Sequence, residues 1–401
     1  MERSGWRIGS RRTTGVTLHV VERQDEFDSL VQSWQSCSRI ALDTEFHREK
    51  SYFARLALVQ IADPDGVHLI DPTKVNIGVL ESLYEATTFV LHASQQDLEI
   101  LFRATGRVPA SVIDTQLIAG FIGHSTPSLS NLVQAIIGTS LPKGDRLTDW
   151  FARPLTEDQL KYAASDVEFL LHVAAHLEAE LRSRNRLDWA QEACAELTSR
   201  RYEPITPNDA WMRLKDVKTL NGQARSVAQA LCAWREERAQ RDDLPPRMVL
   251  SDLAVLAVAQ RRPSRTEELA NVRGADPRSM KGKIGAEIIE VIRNAPEEPI
   301  PFPVTDFDEN DRKLRPAITL STAWISELGR REKIDPTLLA TKADVVAFLR
   351  GVPSRVDSGG RRDVVGQDLA DFLAGKAALN FDGQGRLRLL TVDPPLQASD
   401  R

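Results

Sequence analysis

The chain has 401 residues, of which 42% are hydrophobic and 27% are charged, as in ordinary soluble globular proteins. This length predicts two or three domains rather than one hydrophobic core. The formal net charge of −5 argues against nucleic-acid binding through an overall basic surface, so contact with a polyanion would need local basic patches. No apolar run approaches the ~20 residues that a transmembrane helix needs, and no association with a membrane is expected.

The start of the chain and its cysteines indicate a cytoplasmic protein. Residues 1–16 are basic, lack the apolar stretch of a secretory signal, and are predicted to form a flexible tail. Cys37, Cys194 and Cys232 are isolated from one another and show no C-x-x-C spacing. This spacing argues against a disulfide framework or a structural zinc site and suits a reducing compartment.

Strands and helices alternate between residues 17 and 200, which predicts an α/β domain. Strands are expected at 16–21, 39–46, 54–63, 66–72 and 87–94, and helices at 24–35, 95–106, 112–123 and 154–173. The three strands between residues 39 and 72 are separated by short turns, so they are predicted to be antiparallel neighbours. The result is a mixed sheet with helices after and around it.

The rest of the chain is predicted to be helical. A proline-containing linker at 199–209 leads into helix-length pieces, and a second, acidic linker follows at 295–313. Segments 233–259 and 323–349 share an Ala-Trp pair, a charged tail, a proline turn and a helix start in the same order. This order indicates a duplication. A basic segment at 354–363 has no evident use.

Two carboxylates interrupt an apolar strand in the sequence IALDTEF at 40–46. Asp43 and Glu45 are two residues apart, so both side chains project from the same face of the strand. Like charges on one face are destabilising unless a cation lies between them. The alternative is a strand end with both carboxylates in solvent, and this pair alone does not decide between the two.

A third carboxylate, Asp97, follows the strand at 87–94. Ser94 is expected to be the N-cap of the next helix, and Asp97 comes three residues later, as in a capping box. Asp97 also lies where α/β sheets collect their ligands, beyond a strand end. It is therefore either a capping residue or part of a site.

The helix at 154–173 carries a tyrosine and a carboxylate on one face. Thr156 as N-cap, with Gln159 at the capping-box position, predicts where this helix begins. Tyr162 and Asp166 are then one helical turn apart and lie on the same face. The spacing fits a hydrogen-bonded pair within the helix or a part of a site.

Taken together, the motifs LDTEF, HASQQDL and YAASD resemble those of the DEDD superfamily of 3′→5′ exonucleases, in the subgroup with tyrosine in its third motif. The segments LDTEFHREKSYFARLALVQIAD, IDTQLIAGF and DRLTDWFARPLTEDQLKYAASDV look like ribonuclease D, and the C-terminal helices are similar to HRDC domains. The resemblance covers residues 17–295 well and the remainder loosely. Each motif singly is unspecific, whereas the combination is highly specific.

The resemblance implies both the fold and the domain limits. It implies an α/β ribonuclease H-like exonuclease domain at 17–200, with a mixed sheet flanked by helices, followed by all-α HRDC-like helical bundles. The first bundle is an HRDC domain at 207–295. The second, at 314–395, is a degenerate HRDC-like domain.

The family also implies two divalent metal ions, Mg²⁺ or Mn²⁺, because hard cations prefer carboxylate oxygens to Cys or His. By motif position Asp43 would bridge both ions, while Glu45 and Asp166 would hold the ion that generates the nucleophile. Asp97 would act on the second ion, largely through water. Tyr162 would orient the attacking water. These five residues are the predicted catalytic set, and the four carboxylates among them are the predicted metal ligands.

Six other residues are candidates for substrate binding: Thr44, Phe46, His92, Lys143, Trp150 and Arg153. Thr44 would meet the terminal nucleotide through its backbone, and Phe46 would either stack on a base or lie in the core. A structural role is the alternative for His92. In the loop at 141–154, basic residues interleaved with an aromatic suit single-stranded nucleic acid, the alternative being a packed Trp with solvated charges. Asp114 is expected to organise local structure.

The implied activity is a metal-dependent 3′→5′ exoribonuclease that releases nucleoside 5′-monophosphates. Its substrates would be the 3′ ends of tRNA or other structured RNA precursors. A DNA-directed exonuclease of the same superfamily, acting on single-stranded DNA, is the alternative, because these motifs do not reveal contacts to a 2′-OH. A non-catalytic nucleic-acid-binding scaffold would require the loss of a metal carboxylate, and none is lost. The sequence leaves the oligomeric state open.

Overall fold

The computed structural model describes residues 19–142, 144, 148–274, 280, 282–301 and 309–392. The predicted tail at 1–16 and part of the predicted linker at 295–313 lie outside the described residues. The described chain forms an α/β domain followed by two helical regions. In these ranges no helix combines the length and the apolar character needed to cross a membrane.

A six-stranded mixed sheet forms the centre of the α/β domain. Its strands are β1 (Val20–Val21), β2 (Arg39–His47), β3 (Arg55–Ala62), β4 (Val67–Ile70), β5 (Thr88–Leu91) and β6 (Ser111–Asp114), in the order β1-β4-β3-β2-β5-β6. β2 is antiparallel to β3, and β3 to β4, which confirms the prediction from the short turns. The pairs β1–β4, β2–β5 and β5–β6 are parallel, so the sheet is mixed.

Helices cover both faces of the sheet. They are α1 (Gln24–Trp34), α2 (Gln95–Thr105), α3 (Thr115–Gly120), α4 (Leu129–Ile136), α5 (Glu157–Glu168), α6 (Leu170–Ser183) and α7 (Leu187–Thr198). Alternation along β2 and β3 sends Leu42 and Val59 into a core with α1 and α2. The other face buries Ala41 and Ala62 against α5 and α6. Small residues on this second face let the helices approach the sheet closely.

One predicted helix is partly wrong. The segment at 112–123 was expected to be helical throughout, but Ser111–Asp114 is the edge strand β6, and α3 begins only at Thr115. The side chain of Asp114 accepts hydrogen bonds from the backbone N–H groups of Gln116 and Leu117, which fixes this start. Asp114 therefore organises local structure, as expected.

The first helical region has its own hydrophobic core. Its helices are α8 (Gly222–Arg241), α9 (Pro246–Val249), α10 (Asp252–Arg261), α11 (Thr266–Leu269) and α12 (Lys283–Asn294). Trp211, from the turn of 3₁₀-helix at Pro207–Arg213, packs into this core with Leu231 of α8 and Val255 of α10. The region touches the α/β domain where Asp243 accepts hydrogen bonds from the backbone N–H groups of Tyr52 and Phe53.

The second helical region repeats part of this pattern. Its helices are α13 (Glu309–Glu332), α14 (Pro336–Leu339), α15 (Lys342–Leu349), α16 (Gly359–Arg361) and α17 (Gln367–Leu373), with a short π-helix at Arg362–Gly366. The proline-initiated α14 corresponds to α9, and Thr341 caps α15 as Ser251 caps α10. The number of residues between the start of α9 and the start of α14 equals the number between the starts of α10 and α15.

This second region differs from the all-helical expectation at its end. Two antiparallel strands, β7 (Ala377–Phe381) and β8 (Leu387–Thr391), form a hairpin within the range 314–395 that was predicted to be helical. Positive φ angles at Gly383 and Gly385 shape the turn between them. Leu379 and Leu389, which face each other across the hairpin, pack against the neighbouring core.

The second helical region shares a hydrophobic core with the α/β domain. Trp324 and Leu328 of α13 belong to the same buried cluster as Phe121, after α3, and Leu177 of α6. Polar contacts follow the same boundary: the backbone N–H of Asp335 donates to the Gly120 carbonyl at 2.8 Å. The basic segment at 354–363 also belongs to this boundary. Its Arg355 and Arg361 form ion pairs with Glu196 of α7, so both side chains have a structural role.

We expect Trp324→Ala to lower the free energy of unfolding of the α/β domain by about 3–5 kcal/mol, because it opens a cavity in the shared core. Leu320→Ala on the same helix is the matched control. Leu320 is 52% exposed, so its truncation should change stability by less than about 0.5 kcal/mol. Urea denaturation followed by far-UV circular dichroism measures both. An early transition confined to the C-terminal region, with the α/β domain unaffected, would contradict the shared core.

Candidate active site

The candidate site lies where β2 extends beyond its parallel neighbour. β2 pairs with β5 from Arg39 to Ala41 and then continues to His47. α2 begins shortly after the end of β5, on the side of the sheet that carries Leu42. The part of β2 beyond Ala41, which stays paired with β3 on its other side, therefore lies near the start of α2.

Three carboxylates meet at this place. Asp43 and Glu45 of β2 and Asp166 of α5 each offer one oxygen, and these three oxygens lie within 4.8 Å of one another. The spacing of two residues on β2 places both of its carboxylates on the face that α5 covers. α5 contributes the third carboxylate, Asp166. Its capping box, formed by Thr156 and Gln159 as predicted, fixes where the helix begins and so which of its residues face β2.

Asp97 approaches from the opposite face of the sheet. It is buried in the first turn of α2, and the hydroxyl of Thr44 donates a hydrogen bond to its Oδ1 at 2.5 Å. Asp97 does not form a capping box with Ser94, because the Ser94 hydroxyl donates to Asp114 at 2.9 Å and makes no capping bond. The alternative in which Asp97 only caps its helix therefore loses its support.

Burial raises the pKa of all four carboxylates above their ordinary values, and repulsion within the cluster adds to this effect at Asp43 and Glu45. Burial raises the pKa of Glu45 to about 8, with further repulsion from Asp166 and Asp97. Burial also raises the pKa of Asp97 and of Asp166 to about 7, although the hydrogen bonds from Thr44 and Tyr162 oppose this. The pKa of Asp43 lies well above its ordinary value, because it is buried and surrounded by the other three.

Tyr162 lies beside Asp166 on α5 and forms a hydrogen bond with it. Its ring packs against Trp150, with ring centroids 6.0 Å apart. The loop before α5 also passes close to the ring. A Cβ atom at Gly144 would lie 2.4 Å from Cε2 of Tyr162, so glycine is required for this approach. Burial and the nearby carboxylates raise the pKa of Tyr162 far above its ordinary value, so its hydroxyl stays protonated.

Five of the six predicted substrate-binding residues separate into three groups. Thr44 and Phe46 remain beside the carboxylates on β2, with Thr44 bound to Asp97 and Phe46 half-buried next to an irregularity in the pairing with β3. His92 and Trp150 are packed: the ring Nδ1 of His92 lies 2.9 Å from the Thr115 hydroxyl, and Trp150 is 7% exposed. Lys143 lies outside the described residues.

Arg153 supports the loop rather than facing the site. Its Nε donates to Oδ2 of the fully buried Asp71 at 2.6 Å, and its two terminal nitrogens donate to the carbonyls of Ala57 and Trp150. This guanidinium therefore ties the loop that carries Trp150 to β3. Arg153 therefore differs from the alternative of solvated charges, because its guanidinium is held by a buried carboxylate and two backbone carbonyls.

Gln60 also lies beside the carboxylates, although it was not predicted to be a site residue. It is directly opposite Asp43 in the β2–β3 pair and is completely buried. The detectable feature in the sequence was an amide in the middle of the apolar run LALVQIA.

The donor set fits a divalent cation. Three carboxylate oxygens lie within coordinating distance of a common centre, and hard cations such as Mg²⁺ and Mn²⁺ take oxygen ligands. Within the described part of the chain, no lysine or arginine forms a salt bridge with Asp43, Glu45, Asp97 or Asp166. A bound cation would neutralise charges that have no other described counterpart.

The comparisons with known proteins identify the class to which this arrangement belongs. A family model described as 3'-5' exonuclease matches residues 18–182, and the HRDC domain model matches residues 224–292. Together with the mixed sheet and the carboxylates of β2, α2 and α5, these matches define a 3′→5′ exonuclease of the DEDD superfamily followed by an HRDC domain. The exonuclease activity of proteins with this fold depends on divalent metal.

Comparison with individual relatives shows the family to which the chain belongs. Ribonuclease D of Jannaschia sp. is 33% identical over 387 residues, covering 91% of this chain and 98% of the relative. Ribonuclease D of Pseudomonas paraeruginosa is 35% identical, covering 85% and 94%. The crystal structure of Escherichia coli RNase D, described as an exoribonuclease involved in structured RNA processing, aligns with a TM-score of 0.79 and 28% identity, covering 89% and 99%. The chain belongs to the ribonuclease D family and is a 3′→5′ exoribonuclease, which confirms the resemblance seen in the motifs.

Divalent metal should stabilise this protein. We expect millimolar Mg²⁺ or Mn²⁺ to raise the melting temperature by several degrees, since an ion at about 100 times its Kd stabilises the fold by roughly 2.7 kcal/mol. Asp43→Asn should melt at or above the wild type without metal, because a neutral amide replaces a carboxyl group whose charged form is disfavoured at this position, and should lose most of the metal-induced shift. Differential scanning calorimetry with and without EDTA measures both effects.

The control for this measurement is Asp158→Asn. Asp158 is an exposed carboxylate in the first turn of the same helix that carries Asp166. Its metal-induced shift should equal that of the wild type. Wild-type melting that is indifferent to both ions would contradict a metal role for the cluster.

Arg153→Met should destabilise the fold by about 3 kcal/mol at pH 7, because it leaves the Asp71 carboxylate buried and unpaired. Burial raises the pKa of Asp71, but hydrogen bonds from Arg153 and Thr73 outweigh it and hold that pKa below its ordinary value. The stabilisation from this pair is therefore present above the ordinary carboxyl pKa and is lost as the pH falls through the lowered value. The difference between the two proteins should shrink toward pH 3.

Urea titrations at several pH values measure this effect, with Arg55→Met as the control. Arg55 is exposed, with its guanidinium over the ring of Phe151, so its loss should cost less than about 1 kcal/mol. If Arg153→Met instead kept full stability and weakened binding of single-stranded RNA, Arg153 would be a substrate residue.

Proposed function

We propose that this chain trims the 3′ ends of tRNA or other structured RNA precursors and releases nucleoside 5′-monophosphates with the help of two Mg²⁺ or Mn²⁺ ions. The observation that supports this proposal most directly is the meeting of the Asp43, Glu45 and Asp166 oxygens within 4.8 Å. Such a cluster, half-buried at the end of β2 and without a described cationic partner, is suited to phosphodiester hydrolysis by hard metal ions.

The carboxylates divide the ligand roles by position. Asp43 would hold both ions, with Glu45 and Asp166 completing the first and Asp97, largely through water, the second. When bound, the ions supply a water of lowered pKa and neutralise charge on the phosphate and the leaving 3′-oxygen. Thr44 keeps the Asp97 carboxylate oriented through its 2.5 Å hydrogen bond. Its backbone lies next to both motif carboxylates, where the terminal nucleotide would bind.

Tyr162 acts as a positioning group rather than as a base. Its hydroxyl is protonated at neutral pH, because burial and the adjacent carboxylates raise its pKa. A protonated phenol beside Asp166 can hold the attacking water by hydrogen bonds without removing its proton. The packing of Trp150 and Gly144 against the ring limits the orientations that the hydroxyl can take.

The choice of RNA over DNA follows from membership in the ribonuclease D family and from the structured-RNA role described for the Escherichia coli relative. We further propose that the region at 314–395 is a second, divergent HRDC-like domain, supported by the matching offsets of α9 with α14 and of α10 with α15. The three free cysteines support a cytoplasmic location.

A degradation assay tests the proposal. The substrates are a hairpin RNA with an unpaired 3′ extension and the DNA of the same sequence, each labelled at either the 5′ or the 3′ end. We expect the 3′ label to appear first as a mononucleotide and the 5′ label to give a ladder that shortens toward the stem. EDTA should abolish both. RNA should be degraded faster than DNA, and equal rates would favour the DNA-directed alternative.

Two variants complete this assay. Asp43→Asn should reduce the rate by more than the ~10–100-fold typical of residues that only support a metal ligand. Asp158→Asn, exposed on α5 away from the cluster, should leave it unchanged. Activity that persists in EDTA or in Asp43→Asn would rule out the metal assignment.

A further inference from the structure

Gln60 is a buried amide without a partner. It lies in the middle of β3 with no exposed surface. Neither its side-chain nitrogen nor its side-chain oxygen forms a hydrogen bond with any residue that the structure describes. Burying such a group unpaired costs about 1–3 kcal/mol, so a Leu or Met of similar size would be the more stable choice. The amide therefore calls for an explanation other than packing.

The register of the sheet places Gln60 next to the metal cluster. Gln60 is directly opposite Asp43 in the antiparallel pair of β2 and β3. Opposite residues of such a pair project to the same face, with Cβ atoms about 4.5–5.5 Å apart. This is the face covered by α5, because Leu58 and Ala62, on either side of Gln60, both pack in clusters with that helix. The Gln60 amide is thus within side-chain reach of the Asp43 carboxylate.

The hydrogen bonds of the other carboxylates show what is missing at Asp43. Asp97 has the hydroxyl of Thr44 as a donor, and Asp166 has the hydroxyl of Tyr162. No described side chain donates to Asp43, which lies at the centre of the cluster. Carboxylates that ligate metals are typically held by a hydrogen bond from a neighbouring group. Gln60 carries a free N–H₂ group at the position from which such a bond would come.

We propose that Gln60 is a positioning residue for Asp43: when a divalent ion binds, its Nε2, which has no partner in the metal-free protein, donates a hydrogen bond to the Asp43 carboxylate and holds it in the orientation that binds the ion. The inference rests on the proposed function, since it assumes that Asp43 is a metal ligand. This role explains why β3 contains an amide in an otherwise apolar stretch. The unpaired amide destabilises the metal-free fold, but it increases the affinity of the site for the divalent ion.

The test replaces the amide by an apolar side chain of the same length. In Gln60→Met the metal-free protein should melt at or above the wild-type temperature, because two unsatisfied polar atoms are gone. Its Kd for Mn²⁺, measured by isothermal titration calorimetry, should rise about 10–100-fold. With saturating RNA, kcat should fall while KM for RNA stays constant. A purely structural role for Gln60 would predict the reverse pattern, with lower stability and unchanged Mn²⁺ affinity.

Leu58→Met is the matched control. Leu58 lies two residues earlier on the same strand and face, opposite Glu45 instead of Asp43. It brings the same new side chain to the same layer without removing an amide, so its Kd for Mn²⁺ should equal that of the wild type. An equal loss of affinity in both variants would assign the effect to packing and overturn the inference.

The outcomes separate this inference from the proposed function. Wild-type protein that binds no Mn²⁺ would overturn the metal role of the cluster and the inference with it. Mn²⁺ binding that is the same in wild type and Gln60→Met would overturn the inference alone. If Gln60→Met does not fold, Gln60→Asn withdraws the amide from Asp43 by one methylene and should show the same weaker binding. Wild-type affinity in Gln60→Asn would overturn the role of the hydrogen bond.

Discussion

Repulsion among carboxylates at the free end of β2 is the constraint around which the α/β domain is arranged. Isolated carboxylates are rarely buried, yet here burial and mutual proximity raise the pKa of Asp43, Glu45, Asp97 and Asp166 together. A divalent ion held as proposed would offset this cost, because its charge would favour the ionised form of the carboxylates. The cluster forms only if three separate elements, β2, α2 and α5, end or begin at the same place.

The elements that meet there are held by contacts that do not themselves bind metal. Asp114 fixes the turn between β6 and α3 and accepts hydrogen bonds from the backbone N–H groups of Ala93 and Ser94, just before α2. The pair of Arg153 and Asp71 fixes the loop before α5. Each is a buried or half-buried carboxylate satisfied by several donors, in contrast to the cluster. The domain thus gives its structural acids several donors each, whereas Asp97 and Asp166 each have one described side-chain donor.

Much of this architecture was predictable because its determinants are local in the sequence. Alternating apolar residues gave β2 to β5, Gly106 marked the end of α2, and the capping box of Thr156 and Gln159 gave the start of α5. The grouping of Asp43, Glu45 and Asp166 followed from motifs whose combination is specific even though each motif alone is not. The sheet register then put their oxygens together.

What escaped prediction depends on distant partners. Arg153 meets Asp71 82 residues earlier in the chain, and Thr44 meets Asp97 53 residues later, so neither contact has a local signature. The strand β6 was mistaken for helix because four residues are too few to show a period of two. Gln60 was passed over because its environment is defined by the strand opposite, not by its neighbours in sequence.

The core shared by the α/β domain and the C-terminal region has a consequence for the order in which the molecule is made. Cys194 of α7 and Leu369 of α17 belong to one buried cluster, although they lie far apart in the chain. At translation rates of 5–20 residues per second, roughly 10–35 s separate the synthesis of these two residues. During that interval the apolar surface of α3, α6 and α7 gains its C-terminal partners one element at a time, first α13 and last α17. A nascent chain on the ribosome therefore carries all four carboxylates of the candidate site before it can complete the shared core, and part of that apolar surface stays uncovered until synthesis ends.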